Sequence, residues 1–482
     1  MNKKLMAVAV AGALAAPALA LAQSANVSIY GNFDGSLRSA KYSSSSVNAT
    51  AAAGGTVGQP IASSLTKQQL HFNAPRWGIR GTEDLGGGLT AFFQMESGMN
   101  PDGRAVTSDG VTAGLGGRDS YLGLRSASWG SFAVGGFSTA YTNVAGVWNA
   151  VESMGHAQQI MGNTDTTGTA PNPNCNSAVV GATGTTGSPV TTPPPTNASG
   201  STTTAGCTQA IEGNSLSFHR RTANYLEYTT PAMSGFTGKI GTALGENKES
   251  GSQTSLVQAV AGNAGATAYN PKHWSYALLW AGGPFSAGIG YETHEGFRAT
   301  NVLSGAIRNA KDSGLTIGGK WNFGAGEIGM GWERLKYGNT ALNAVGGGFT
   351  ALGSNDFQQT NWVINGKYKV TAAGTISAGY SKTPGRKNCG NALADTNGAT
   401  DVGTCGTPTG ASMFGLSYDH ALSKRTGLYA AYGKINNNGN TVAGATYYYI
   451  QGPLSNGAGG TIGGLAGGTD VTSYMMGMKH SF

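Results

Sequence analysis

Charge is scarce in this chain: Asp, Glu, Lys and Arg make up 11% of its 482 residues, against about 25% in ordinary soluble proteins. A soluble domain of this length would have too little charge to keep its surface hydrated. Long apolar runs are missing as well. Beyond the first 22 residues no stretch of about 18 apolar residues occurs, so any membrane span must be built from strands rather than helices. Cysteine is limited to Cys175, Cys207, Cys389 and Cys405, none of them at metal-ligand spacing. The seven histidines, His71, His156, His219, His273, His294, His420 and His480, are scattered and form no HExxH pair. The Gly-rich runs Gly86–Gly88 and Gly346–Gly348 lack the strand-to-helix setting and following Lys of a phosphate loop. His294 and Glu295 are adjacent, but they fall at a strand-to-loop boundary, where such groups are ordinarily solvated. Catalytic, cofactor-binding and metal-binding residues are therefore expected to be absent, as is a nucleic-acid partner.

Glycine, by contrast, is abundant, at 79 residues, more than twice its usual share of about 7%. In a curved sheet, strand glycines give aromatic side chains room to lie beside them, and this chain has eight Trp and 19 Tyr. At the N-terminus, Lys3 and Lys4 precede an apolar run, Leu5 to Leu19, and Ala20-Leu21-Ala22 precedes Gln23. That order reads as a secretory leader over residues 1–22. Its removal lowers the formal charge from +7 to +5 and leaves 23–482 as one exported domain. An even number of cysteines in an exported chain suggests disulfides. Of three connectivities, the local pairs Cys175–Cys207 and Cys389–Cys405 close the shortest loops, with free thiols as the alternative.

The end of the chain, TSYMMGMKHSF, alternates Tyr474, Met476, Met478, His480 and Phe482 with Ser473, Gly477, Lys479 and Ser481. A period of two with one apolar face fits a strand between lipid and a polar interior. The first strand repeats it: Val27, Ile29, Phe33 and Leu37 point one way, and Ser28, Asn32, Asp34, Ser36 and Arg38 the other. Sixteen such segments run from Val27–Lys41 to Thr472–Phe482. Tight turns at Asp84–Gly88, Ala127–Gly130, Pro231–Ser234, Ala281–Pro284, Gly324–Gly326, Thr371–Ala373 and Ala421–Arg425 alternate with long connections. An even number of antiparallel strands, with short turns at one end and long loops at the other, predicts an all-β transmembrane barrel. Sixteen strands leave an aqueous channel. Tyr225, Trp274, Trp280, Tyr291, Trp321, Trp332, Trp362, Tyr380 and Tyr429 are candidates for aromatic girdles on the lipid face.

The stretch RWGIRGTEDLGGGLTAFFQMESG, Arg76 to Gly98, resembles the second and third strands and first periplasmic turn of the trimeric general porins of Gram-negative bacteria, especially the β-proteobacterial ones. VSIYGNFDGSL after the leader, GRDSYLGLRSASWGSFAVGG in the fourth and fifth strands, and GMKHSF at the end agree with it. The resemblance implies a homotrimer in the outer membrane, in contact with lipid and lipopolysaccharide, that passes small hydrophilic solutes by diffusion. It also implies that the barrel-assembly machinery reads the terminal Phe482, and that an inward-folded third loop narrows the pore. Here that loop spans 139–220. Its first part carries Glu152 and Asp165, and the rest, with PNPNC and TTPPPTNASG, reads as a low-complexity insertion. The basic residues expected opposite it are Arg38, Arg76, Arg80, Arg125, Arg220 and Arg221. Arginines at a constriction favour anions, so a mild anion preference is expected. A substrate-selective channel of the same fold is the alternative, followed by a surface adhesin or outer-membrane enzyme.

Overall fold

The computed structural model describes residues 26–43, 64–72, 75–99, 101, 115–150, 218–219, 221–244, 272–295, 311–337, 341–345, 348–352, 357–383, 386–387, 411–437 and 470–482. The leader, Glu152, Asp165, Arg220 and all four cysteines lie outside these residues.

The strands are β1 (Asn26–Ser43), β2 (Ser64–Phe72), β3 (Arg76–Gly86), β4 (Leu89–Gly98), β5 (Ser120–Ser126), β6 (Gly130–Ser138), β7 (Arg221–Thr229), β8 (Phe236–Ala243), β9 (Lys272–Gly282) and β10 (Phe285–Glu295). They continue as β11 (Lys311–Asn322), β12 (Gly326–Tyr337), β13 (Ala341–Val345), β14 (Gly348–Leu352), β15 (Phe357–Lys369), β16 (Gly374–Thr383), β17 (Arg386–Lys387), β18 (Ala411–Ala421), β19 (Thr426–Asn437) and β20 (Asp470–Ser481). A short helix, α1 (Ala140–Trp148), follows β6. β13 and β14 form a separate hairpin between β12 and β15. The remaining 18 strands make one sheet. Two of its staves are interrupted: β2 and β3 both pair with β1, and β16 and β17 both pair with β15. The result is a closed antiparallel barrel of sixteen staves, as the alternating segments predict.

Alternation along each stave separates lipid from lumen. On β1, Leu37 is 71% exposed and its neighbour Ser36 only 2%. Asp34 is buried while Phe33 faces out. On β20, Tyr474, Met476 and Met478 are exposed on the outer face, and Ser473 and Met475 are buried on the inner one. Most of the expected girdle aromatics lie outside: Trp274, Tyr291 and Trp321 are exposed, and Trp321 stacks at 6.4 Å on Phe285 and lies 5.2 Å from Phe323 near the short turns. Two do not. Tyr225 and Tyr429 point inward and are buried, because their strand parity puts them beside lumenal carboxylates. Tyr429 donates to Asp34 at 2.7 Å and Tyr225 to Glu227 at 3.3 Å.

The short turns are held by local chemistry. The Asp84 carboxylate accepts from the Gly86 amide at 2.8 Å, and Gly86, Gly87 and Gly88 all have positive φ, which glycine alone adopts without cost. At the seam, β1 pairs with β20, and Phe482 continues the ladder by exchanging two backbone hydrogen bonds of 3.1 Å with Gly31. The Phe482 ring occupies the space a side chain at Gly31 would need. Gly31→Val is therefore expected to destabilise closure by about 1–3 kcal/mol through overpacking, seen as a smaller folded band in heat-modifiable gel mobility.

Candidate functional site: an inward helix and the wall opposite

The chain leaving β6 turns into the barrel instead of away from it. Thr139 caps α1 by accepting from the Thr142 amide at 3.3 Å, and the helix then lies along the inner faces of β9 to β12. Ala140, Tyr141, Val144 and Trp148 are fully buried against this wall. The wall has a track of glycines, Gly288, Gly290, Gly318, Gly329 and Gly331, under Val144, Val147 and Trp148. A side chain at Gly331 would come within 2.8 Å of the Trp148 ring. Their lack of side chains lets a helix fit inside the barrel.

Polar groups fix the position of the helix. The Tyr141 amide donates to Ser275 at 2.8 Å, the Ala140 amide to the Tyr225 hydroxyl at 3.1 Å, and the Ala150 amide to Asn365 Oδ1 at 2.7 Å. Glu333, on the lumenal face of β12, has no exposed surface. The Tyr141 hydroxyl donates to its Oε2 at 3.0 Å, His219 Nε2 sits 3.0 Å from the same oxygen, and Asn361 donates to Oε1 at 2.6 Å. Tyr141 belongs to the outgoing limb of the loop and His219 to the returning limb. One buried carboxylate thus ties both limbs to the wall. Beside it Phe218 packs on Tyr141, ring centroids 5.6 Å apart, and stacks on His294 at 4.6 Å.

Following the strand pairings, β1 lies half-way round the ring from β10, so Arg38 on β1 and Arg76 and Arg80 on β3 belong to staves opposite those on which α1 packs. Arg38 Nε donates to Ser473 at 2.9 Å. Arg80 Nε donates to Ser28 at 3.4 Å, with its guanidinium 5.0 Å over the Tyr30 ring. Arg76 Nε lies 3.7 Å from Glu96 Oε2, an oxygen that also accepts from the Tyr30 hydroxyl at 3.0 Å, and Arg118 Nε contacts Glu96 Oε1 at 2.5 Å. Arg118 and Glu96 belong to this basic wall although motif reading passed them over; strand parity on β4 was the available signal for Glu96. Arg125 lies next to the short turn between β5 and β6, 5.8 Å from the Phe92 ring, at the turn-side mouth and away from α1. Arg221 begins β7 and bonds Asp119 at 2.7 Å, securing the root of the loop. Further pairs line the turn-side mouth: Glu327 with Lys320 and Lys367, at 3.3 and 3.5 Å, and Asp419 with Lys479 at 2.9 Å.

A closed sixteen-stave barrel, apolar outside and charged within, with a helix braced inside it, is a transmembrane channel of the bacterial outer membrane. Comparison with known proteins agrees. A family model described as Gram-negative porin matches residues 7–440. An outer membrane porin protein of Bordetella pertussis is 24% identical over 380 residues, 74% of this chain and 76% of that one. Major outer membrane protein P.IA of Neisseria meningitidis is 33% identical over 130 residues, 26% of this chain and 30% of that protein. Among solved structures, the anion-selective porin from Comamonas acidovorans superimposes with a TM-score of 0.53 at 18% identity, covering 95% of this chain and all of its own. The chain belongs to the Gram-negative porin family, and it is an outer-membrane porin.

Glu333→Ala removes the acceptor shared by Tyr141, His219 and Asn361. A buried donor left without its partner costs about 1–3 kcal/mol. The expected outcome is a lower unfolding temperature and noisier open-channel current, both measurable on the purified protein.

Proposed function

We propose that this porin passes small hydrophilic solutes and ions by passive diffusion, works as a homotrimer, and mildly prefers anions. What supports this reading is the strand order, which sets the staves of Arg38, Arg76 and Arg80 opposite those that hold the internal helix. Guanidinium groups along a narrow, low-dielectric passage lower the entry barrier for anions and raise it for cations. The formal charge of +5 left once the leader is removed acts in the same direction. The Comamonas acidovorans porin, whose fold this chain shares, is itself described as anion-selective, and OmpT, an outer membrane protein of Vibrio cholerae with a TM-score of 0.51, has a trimer form.

Glu152 and Asp165 follow α1 in the chain and supply the acidic side of the constriction in this reading. Residues 1–22 are removed on export. The exposed ring of Phe482, at the turn side of the closing seam, offers the assembly machinery a terminal aromatic, and the outer face contacts lipid and lipopolysaccharide. No step of chemical turnover and no energy source is involved.

The test is a planar-bilayer recording of the purified protein under a salt gradient. Openings in groups of three with an anion-favouring zero-current potential are expected. Arg38→Ala should move that potential toward cations, most strongly below about 0.1 M salt, where the screening length exceeds about 10 Å. Arg125→Ala should move it less. Unchanged selectivity in Arg38→Ala would remove that residue from the constriction, and conductance saturating with one solute would identify a substrate-selective channel instead.

A further inference from the structure

Chain spacing offers no metal-ligand set, but the barrel register assembles one. His273 on β9 and His294 on β10 are direct cross-strand partners, and Glu292 lies on the same lumenal face two positions before His294. His273 Nε2 is 3.3 Å and His294 Nε2 2.9 Å from a single carboxylate oxygen, Glu292 Oε1. The donor atoms of the three residues all lie within 4.8 Å of one another, and all three side chains are buried. The two imidazoles lie nearly parallel, with centroids 5.2 Å apart.

We propose that His273, His294 and Glu292 form a binding site for a divalent transition-metal ion, with Zn2+ as the reference ligand, in the lumenal wall beneath the returning limb of the loop. Metal–ligand bonds of about 2.0–2.2 Å in a tetrahedral site separate neighbouring donors by about 3.3–3.5 Å. The observed His–Glu separations are therefore within a few tenths of an ångström of what coordination requires. Two imidazoles and one carboxylate are a borderline set that suits zinc, nickel or cobalt. Calcium and magnesium prefer oxygen alone, and copper(I) prefers sulfur. Asp312, buried on β11 directly across from His294, adds a second carboxylate to the same patch.

The site adjoins the residues that hold the loop. Phe218 stacks on the His294 ring at 4.6 Å with planes 13° apart, and the Tyr225 ring, whose hydroxyl receives the Ala140 amide, meets His273 edge-on at 5.8 Å. An ion that fixes the two imidazoles would thereby stiffen both limbs of the loop at its anchorage. The cluster lies near the ends of β9 and β10 opposite their short turn, on the side of the long connections, so the ion would arrive from the external medium.

The experiment is titration of the refolded full-length porin with Zn2+ against a chromophoric chelator, with folding of every variant checked by heat-modifiable gel mobility. One ion per chain is expected, with affinity lowered more than about tenfold in His273→Asn, His294→Asn and Glu292→Gln. The wild-type unfolding temperature should rise with Zn2+ and return on chelation. Zinc-edge X-ray absorption on the loaded wild-type protein, which does not depend on any variant folding, should report two imidazoles with oxygen. Failure of the wild type to retain Zn2+, undiminished binding in the folded variants, or sulfur in the coordination shell would each overturn the proposal.

Discussion

Everything inside this barrel depends on a backbone constraint: in lipid each amide and carbonyl must find its partner within the protein. Sixteen staves meet it by closing β1 onto β20, and the terminal residue extends the closing ladder through its bonds to Gly31. Closure without helices leaves the side chains to alternate between two solvents. The outer set, exemplified by Leu37 and Met476, contacts hydrocarbon, and the inner set, exemplified by Ser36 and Glu333, is left to build a polar lumen. The charge-poor composition follows from the first set, and the salt-bridged interior from the second.

Within that lumen the loop is held by a division of labour between absence and charge. The glycine track on β10 to β12 makes room for α1, and the buried Glu333 carboxylate ties both limbs of the loop to the wall. Ser275, Tyr225 and Asn365, which accept from backbone amides along the same limb, share the task of fixing it. The nine-residue helix leans on β9 to β12, and Arg38, Arg76 and Arg80 stand on the opposite staves β1 and β3.

Legibility in the sequence tracked how local the cause was. The alternation in Val27 to Arg38 and in Tyr474 to Phe482 was readable because a period of two is a property of one strand. Turns such as Asp84–Gly88 were readable because their hydrogen bonds span two residues. The inward placement of Tyr225 and Tyr429 was missed because an aromatic in a barrel strand reads as a girdle residue, and only their acidic partners Glu227 and Asp34 betray the parity. Arg118 and Glu96 were missed for a related reason: their pairing joins a loop residue to a strand residue across the sheet.

What the sequence determined by itself is the class of object: an exported chain with alternating segments, short turns at one end, and too little charge for water on all sides. Those features follow from neighbours along the chain. Only the tertiary structure decided which residues meet across it. Register set His273 opposite His294 and brought Glu292 to both, and ring closure put the stave of Arg38 half-way round from β10, on which α1 packs. The physical reason is that strand pairing acts between residues far apart in sequence, and the barrel's circumference, which no single strand encodes, sets what faces what.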